Sequence, residues 1–419
     1  MDVELYHQEE LSLFTSPISD QSLQSREWIQ YKPVGQVNSG SAIEFNIPAQ
    51  SSAYIDLKRS VLRVKLAIVD GDGTDLDENV ITTLINLPFH TIFGQVDVSL
   101  QQTTLSHNGA NYPYKAYIDT ILRTNKQIQD NLLGCQMFYK DTGDVSTSDA
   151  KTGSNEGLKT RYSKTKGSSI VDLEGPLHIE LFRQSKLLIN GVSIGLKLHH
   201  ARDAFRIITD SMAPSYKVKI TDASFNLCIQ RLNGAFYLAQ EKLIQDMPAI
   251  YPYLRSELKS SAIASGQYSF SADDVFQGLI PSKLIVGLVS SNSFNGDYSK
   301  NPFDFKHFNC NFIGFYIDGQ SIPSQPLQPN YSANQYVDCY RGLGLYRNDI
   351  DVTLEDYKNG YCLYVLDIDP YHSFNTKRRG HCRLELKFAV ALPESVTLIM
   401  YASFPETLNI DKSRAVFLK

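Results

Sequence analysis

A chain of 419 residues, 42% hydrophobic and 20% charged, can form two or more ordinary domains and has the balance of a globular protein. The net charge of −5, with no basic stripe or tail, argues against a protein that coats nucleic acid through its own surface. No apolar run reaches the roughly 18 residues a membrane span requires. Met1-Asp2-Val3-Glu4 lacks the basic-then-apolar order of a signal peptide, so a soluble cytosolic product is expected.

Residues 1–40 hold Leu5, Leu11, Leu13 and Phe14, then a polar Ser/Gln stretch up to the single tryptophan, Trp28. This reads as a short amphipathic helix and an extended arm, too poor in apolar residues for a core of its own. From Ser41 the periodicity changes to two. Ala-Ile-Glu-Phe-Asn-Ile (42–47) alternates, and Tyr54 to Val69 alternates strictly from Leu62 before the turn-forming Asp70-Gly71-Asp72-Gly73. The spacing predicts a helix over 79–93, a strand at Val96–Leu100, and a helix from Tyr112 to Arg123.

Residues 141–168, rich in Gly, Ser, Thr, Lys and Asp, read as a long exposed loop and the preferred interior site of proteolysis. Strands are expected again at 170–173, 187–199 and 216–232. A helix follows from Gly234 to Gln245, closed by Pro248 and Pro252. The strand pattern then restarts at 258–270, 283–289, 305–317, 361–367, 381–390 and 396–404. Many short strands with few helices indicate sandwiches or barrels, in keeping with the 24 Tyr and 21 Phe.

The halves echo one another. Phe93–Ser99 leads through a turn to a helix holding Tyr117-Ile118-Asp119, and Ile313–Gly319 leads through a turn to one holding Tyr336-Val337-Asp338. Val98 and Ile118 are 20 residues apart, and so are Ile317 and Val337.

Chemical motifs are sparse. Cysteines 135, 228, 310, 339, 362 and 382 form no CxxC pair and read as buried free thiols. Asp70–Asp75 has Asp75 and Ile81 where a calcium loop needs Gly and Glu, so it reads as a hairpin turn. His199 and His200 point to opposite faces of a strand. A metal site there would need His178 or a carboxylate from elsewhere, and pairing of Arg202 and Asp203 with neighbouring strands or subunits is the plainer reading. Arg341-Gly342-Leu343-Gly344-Leu345 lacks the third glycine of a dinucleotide loop. Lys377-Arg378-Arg379 reads as a solvated loop, and the sequon Asn330-Tyr331-Ser332 has no secretory context. No nucleophile elbow, P-loop or HExxH motif occurs, and no enzyme is expected.

Several longer segments carry a resemblance. They are Glu-Leu-Ser-Leu-Phe-Thr (10–15) with Trp28, Tyr-Ile-Asp-Leu-Lys-Arg (54–59), Tyr-Pro-Tyr-Lys-Ala-Tyr-Ile-Asp-Thr (112–120), Asp-Leu-Glu-Gly-Pro-Leu-His (172–178) and Leu-Ile-Asn-Gly-Val (188–192). The strongest is Phe-Asn-Gly-Asp-Tyr-Ser-Lys-Asn-Pro-Phe-Asp-Phe-Lys-His-Phe-Asn (294–309), continued through 316–329 and 356–364. In this order, as far as about residue 405, the sequence resembles the double-jelly-roll major capsid proteins of Polinton (Maverick) elements and adintoviruses.

The resemblance implies an all-β fold of two consecutive eight-stranded jelly-roll sandwiches with a few short helices. The expected divisions are an N-terminal arm (1–40), a first roll (41–232), a linker helix (233–252), a second roll (253–405) and a C-terminal tail (406–419). It further implies a homotrimeric, pseudo-hexagonal capsomer tiling an icosahedral shell around double-stranded DNA, with a single-jelly-roll protein at the five-fold vertices. The expected location is the virion, after synthesis in the host cytosol. No catalytic, cofactor-binding or metal residues are implied, and no disulfides are expected. Two other classes fit a β-rich chain: a carbohydrate- or protein-binding sandwich, and a cupin-like metal oxygenase, which needs clustered His and carboxylate ligands.

Overall fold

The computed structural model describes residues 21–37, 40–105, 109–369 and 378–418. The first half holds β1 (Leu23–Tyr31), β2 (Ile43–Ile47), β3 (Tyr54–Val69), β4 (Thr82–Leu84), β5 (Phe93–Leu100), β6 (Thr103–Thr104), β7 (Val171–Gly175), β8 (Ile194–His200), β9 (Ile207–Thr209) and β10 (Lys217–Leu232). The second holds β11 (Ala249–Ile263), β12 (Ser269–Asp273), β13 (Lys283–Ser290), β14 (Cys310–Ile317), β15 (Gln320–Ser321), β16 (Leu363–Asp367), β17 (Cys382–Phe388), β18 (Val396–Ile410) and β19 (Val416–Leu418). Between them run helices α1 (Pro88–Thr91), α2 (Tyr112–Arg123), α3 (Lys126–Asp130), α4 (Glu156–Thr165), α5 (Asp203–Arg206), α6 (Gly234–Asp246), α7 (Ser291–Asn295), α8 (Val337–Leu343) and α9 (Leu354–Lys358).

The sheet orders are β1-β10-β3-β7 and β2-β8-β5-β6 in the first half, and β11-β18-β13-β16 and β12-β17-β14-β15 in the second. With the small β4-β9 ribbon and the added edge strand β19 set aside, each half pairs its eight strands identically: first-eighth-third-sixth in one sheet, second-seventh-fourth-fifth in the other. That order is the double Greek key of a jelly roll. The inner faces follow from alternation. Ile43, Phe45 and Ile47 of β2 and Leu384, Leu386 and Phe388 of β17 are buried while their neighbours face out. Phe225 of β10 meets Phe45 across the first roll at 6.2 Å.

Four expectations are corrected by the fold. Residues 141–168 are not an exposed loop: they contain α4, and Val145, Ala150, Leu158 and Arg161 are buried. The 79–93 region is not one helix but β4, a left-handed Leu87 (φ 57°) and the single turn α1, because Pro88 can start a helix but not continue one. Leu23–Tyr31, read as part of an arm, is the first strand of the first roll, antiparallel to β10 with Trp28 opposite Cys228. At the other end, 406–410 completes β18 and Val416–Leu418 adds a strand beside it, so this stretch is not a loose tail. The helix expected around Leu5–Phe14 lies outside the described residues.

Candidate functional site: the seam between the two rolls

Two elements are buried on every side, which neither would be inside a single sandwich. Val396–Phe404 of β18 is an unbroken buried run, as for a strand covered on both faces. Eleven of the twelve residues of α2 are buried, including Lys115 and Asp119. Both lie at the seam where the rolls meet.

Its apolar part is aromatic. Tyr117 of α2 stacks on Phe303 with centroids 4.0 Å apart and planes 6° from parallel. Tyr114 stacks on Phe294 at 5.3 Å and meets Phe303 edge-on at 5.5 Å. Each such pair contributes about 0.5–1.5 kcal/mol beyond the area it buries. Both phenylalanines come from 294–309, the segment in which the sequence resemblance is strongest.

The polar part centres on Asp119. Its carboxylate accepts from Arg183 Nη1 at 2.8 Å, Arg123 Nε at 2.9 Å and, from the second roll, the Tyr401 hydroxyl at 3.0 Å. Lys115, wholly buried, has its Nζ 3.4 Å from Asp119 and 3.1 Å from Glu180, and also donates to the His178 carbonyl. Ser256 of β11 donates to Glu180 in a second tie across the seam. Burial alone would raise the Asp119 carboxyl, but Arg183, Arg123 and Lys115 outweigh it and hold it well below the usual carboxylate range.

Beside this cluster His90 and His178 stack edge to face, 4.3 Å apart. Burial and the Arg183 guanidinium push His178 down to about 3, although Asp119 Oδ2 stands 3.9 Å from its Nδ1. Arg183 donates to that same nitrogen, which must therefore carry a lone pair, and the neutral form prevails. His90, lowered by burial and by His178, is neutral too: Nε2 lies 3.0 Å from Gln136 Oε1, and Nδ1 lies 2.8 Å from the Tyr112 hydroxyl.

A second buried pair anchors 141–168. Arg161 donates to Asp141 Oδ1 at 2.8 Å, Tyr139 O at 3.0 Å and Leu84 O at 3.1 Å. Tyr361 and Asn301 of the second half reach in, donating to Asp141 O at 2.7 Å and Val145 O at 3.1 Å. Gly157 lets α4 approach the chain here, since a Cβ would strike the Tyr139 and Lys140 carbonyls. At the opposite end Arg414 donates to Asn190 Oδ1 at 3.0 Å and Glu241 Oε1 at 2.7 Å, tying the C-terminal segment to the first roll and α6.

The sequence candidates disperse. His199 pairs with Asp97 at 3.1 Å on one face, while His200 packs against Phe93 on the other. His178 belongs to the Asp119 cluster, and Asp203 accepts from Val218 N of the neighbouring strand β10 at 3.0 Å as well as from Arg206 of its own helix α5 at 2.6 Å. Asp72 caps its own turn through Thr74, and Asp70 accepts from Ser215 at 2.6 Å, so those carboxylates are committed to the hairpin. Arg378 stands 3.7 Å from Asp369, and Lys377 lies outside the described residues. Five cysteines are buried and Cys135 is exposed. Burial raises the Cys362 thiol to about 11 and that of Cys339 to about 12. Among the described residues no group of three or more His, Cys, Asp or Glu could hold a metal ion, and no helix is long and apolar enough to cross a membrane.

No family model matches the sequence. An uncharacterized protein of Caenorhabditis elegans is 23% identical over 431 residues, spanning 95% of this chain and 98% of its own. Among solved structures, a chain of the Sputnik virophage superposes with a TM-score of 0.68 at 12% identity, over 100% of this chain and 93% of that one. The Faustovirus major capsid protein gives 0.59 at 10% identity over 95% and 92%, and the mavirus major capsid protein 0.53 at 12% over 100% and 96%. The chain is a double jelly roll. The seam's charged groups are spent on one another, and its aromatic groups on fixing one roll against the next.

Proposed function

We propose that this chain is the major capsid protein of a double-stranded DNA virus or virus-like transposon of the Polinton and adintovirus kind. The observation that carries the reading is full-length agreement, through both rolls and the seam, with chains described as major capsid proteins. The first column runs from β1 through β10, α6 within 233–252 connects it to the second, and the second runs from β11 through β18. Two columns locked side by side make a block, and three blocks place six columns around one axis, so a homotrimer packs as a hexagon. Permanent contacts of this sort bury more than about 2,000 Å². The role is structural, not enzymatic, and the location is the virion.

A chain of net charge −5 suits a shell whose DNA is condensed by other proteins or driven in by a motor. A single-jelly-roll protein would close the five-fold vertices. Expression of the chain with its neighbouring genes, followed by electron microscopy of the sedimenting fraction, tests the proposal. Closed shells with hexagonal tiles protecting DNA from nuclease are expected. Soluble protein with a bound sugar or peptide ligand, and no particles, would contradict it.

A further inference from the structure

A cleft of about 260 Å³ lies where α2, the end of β8, α5 and α7 meet. Pro113 and Tyr114 of α2, His200 of β8, Phe205 of α5 and Phe294 of α7 line it, so its walls come from both halves of the chain. The exposed Arg202 and Asn295 belong to the lining as well. Three of the rings touch one another: Tyr114 stacks on Phe294 at 5.3 Å and meets Phe205 edge-on at 5.8 Å. Such an arrangement offers a further ring both a face to stack on and an edge to abut.

Two residues of this lining end in buried polar atoms that the protein does not satisfy. Tyr114 is 2% exposed, and its hydroxyl has no hydrogen-bond partner among the described residues. His200 Nε2 is buried and has none there either. Buried polar groups are nearly always paired, because losing water without gaining a partner is costly. Two such atoms on the lining of one cleft point to a ligand that pairs with both. Burial holds the Tyr114 hydroxyl well above its ordinary value, so it stays protonated. Burial and the Arg206 guanidinium hold His200 below its ordinary value, so its ring is neutral and Nε2 can donate or accept according to tautomer. Size narrows the class further. An apolar cavity of about 150 Å³ takes one benzene ring. A cleft of about 260 Å³ therefore admits a molecule of one or two rings and is too small for a helix or strand of another protein.

We propose that this cleft binds a small aromatic alcohol of one or two rings, its ring packed against Phe205 and Phe294 and its hydroxyl bonded to Tyr114 and His200. Because the walls belong to both halves, the bound molecule ties the rolls together across their seam. The site is independent of whether the chain builds a shell.

The test is titration of the full-length protein with β-naphthol, read by calorimetry and by melting temperature. One site per chain, saturated by about 1 mM, and a raised melting temperature are expected. Tyr114→Phe keeps the ring and removes only the unpaired hydroxyl, so the free protein should melt no lower than the parent. Its affinity for β-naphthol should nevertheless fall by about fivefold or more, the worth of one hydrogen bond. His200→Phe should weaken binding to a similar degree. Tyr357→Phe, at a buried tyrosine outside the cleft, should leave the affinity unchanged. An absence of saturable binding would overturn the site, and so would equal affinity in the Tyr114→Phe, His200→Phe and Tyr357→Phe proteins.

Discussion

Asp119 shows most directly how single residues hold the seam, because three positive side chains and a tyrosine from the other roll converge on one buried carboxylate. Removing one partner of a buried ionic group costs more than the group contributes while intact. Asp119→Asn is therefore expected to lower unfolding stability by about 3–5 kcal/mol in urea titrations, and Tyr401→Phe, which removes one donor, by about 1–2 kcal/mol. A loss under 1 kcal/mol for Asp119→Asn would mean the cluster is not closed as described. Acid should act on the same place. His90 and His178 stay neutral in the fold yet take up protons when unfolded, so stability present above about pH 6.5 falls as the pH drops; the His178 share, about 1.4 kcal/mol per pH unit, is lost down to about pH 3. Asp119, lowered instead, adds a further loss below about pH 4. His178→Gln should flatten the slope between pH 6 and 4, and an unchanged slope would exclude His178 as its source. Little of this cluster was legible beforehand. His178 stood out only as a conceivable metal partner, because residues 90, 119, 183 and 401 share no local spacing. The signal that did exist was Lys115, Asp119 and Arg123 at i, i+4 and i+8 in a helix otherwise apolar all round.

Elements were legible where the chain's period matches its burial. Helices α2 and α6 and most long strands fall where the sequence puts them; α6 and most of these strands turn one face inward, while α2 is buried nearly all round. Two of the misreadings share a cause: a polar segment reads as a solvated one. In 141–168 the largest buried side chain is Arg161, satisfied by Asp141 and two carbonyls, so composition points the wrong way. Strand β1 hides in the same manner, because backbone pairing with β10 holds it while Trp28 faces out, 55% exposed. Two outcomes follow for α4. Its amides should exchange as slowly as those of the strands, and limited proteolysis should not cut first within 141–168; early cleavage there would contradict the anchoring. Asn155, buried at the N-cap, accepts from Leu158 N at 3.2 Å and Thr142 N at 3.3 Å. Asn155→Ala should cost about 1–2 kcal/mol, checked by thermal unfolding.

At the scale of the whole molecule, the repeat of one strand order explains the echo between Phe93–Ser99 and Ile313–Gly319: each is the fourth strand of its roll, leading to α2 in one case and α8 in the other. The halves then diverge at the seam, where α2 lies buried between the rolls while α8 leaves Val337, and the turn after it Leu345, at the surface. Contacts through Asp119, Tyr401 and the Tyr117–Phe303 stack join the two rolls into one block. Under the proposed function such blocks associate in threes. Light scattering of the purified chain measures this most directly. A particle of about 141 kDa, three times 47.1 kDa, is predicted, and a stable 47.1 kDa monomer at every protein concentration, salt and pH tried would contradict it.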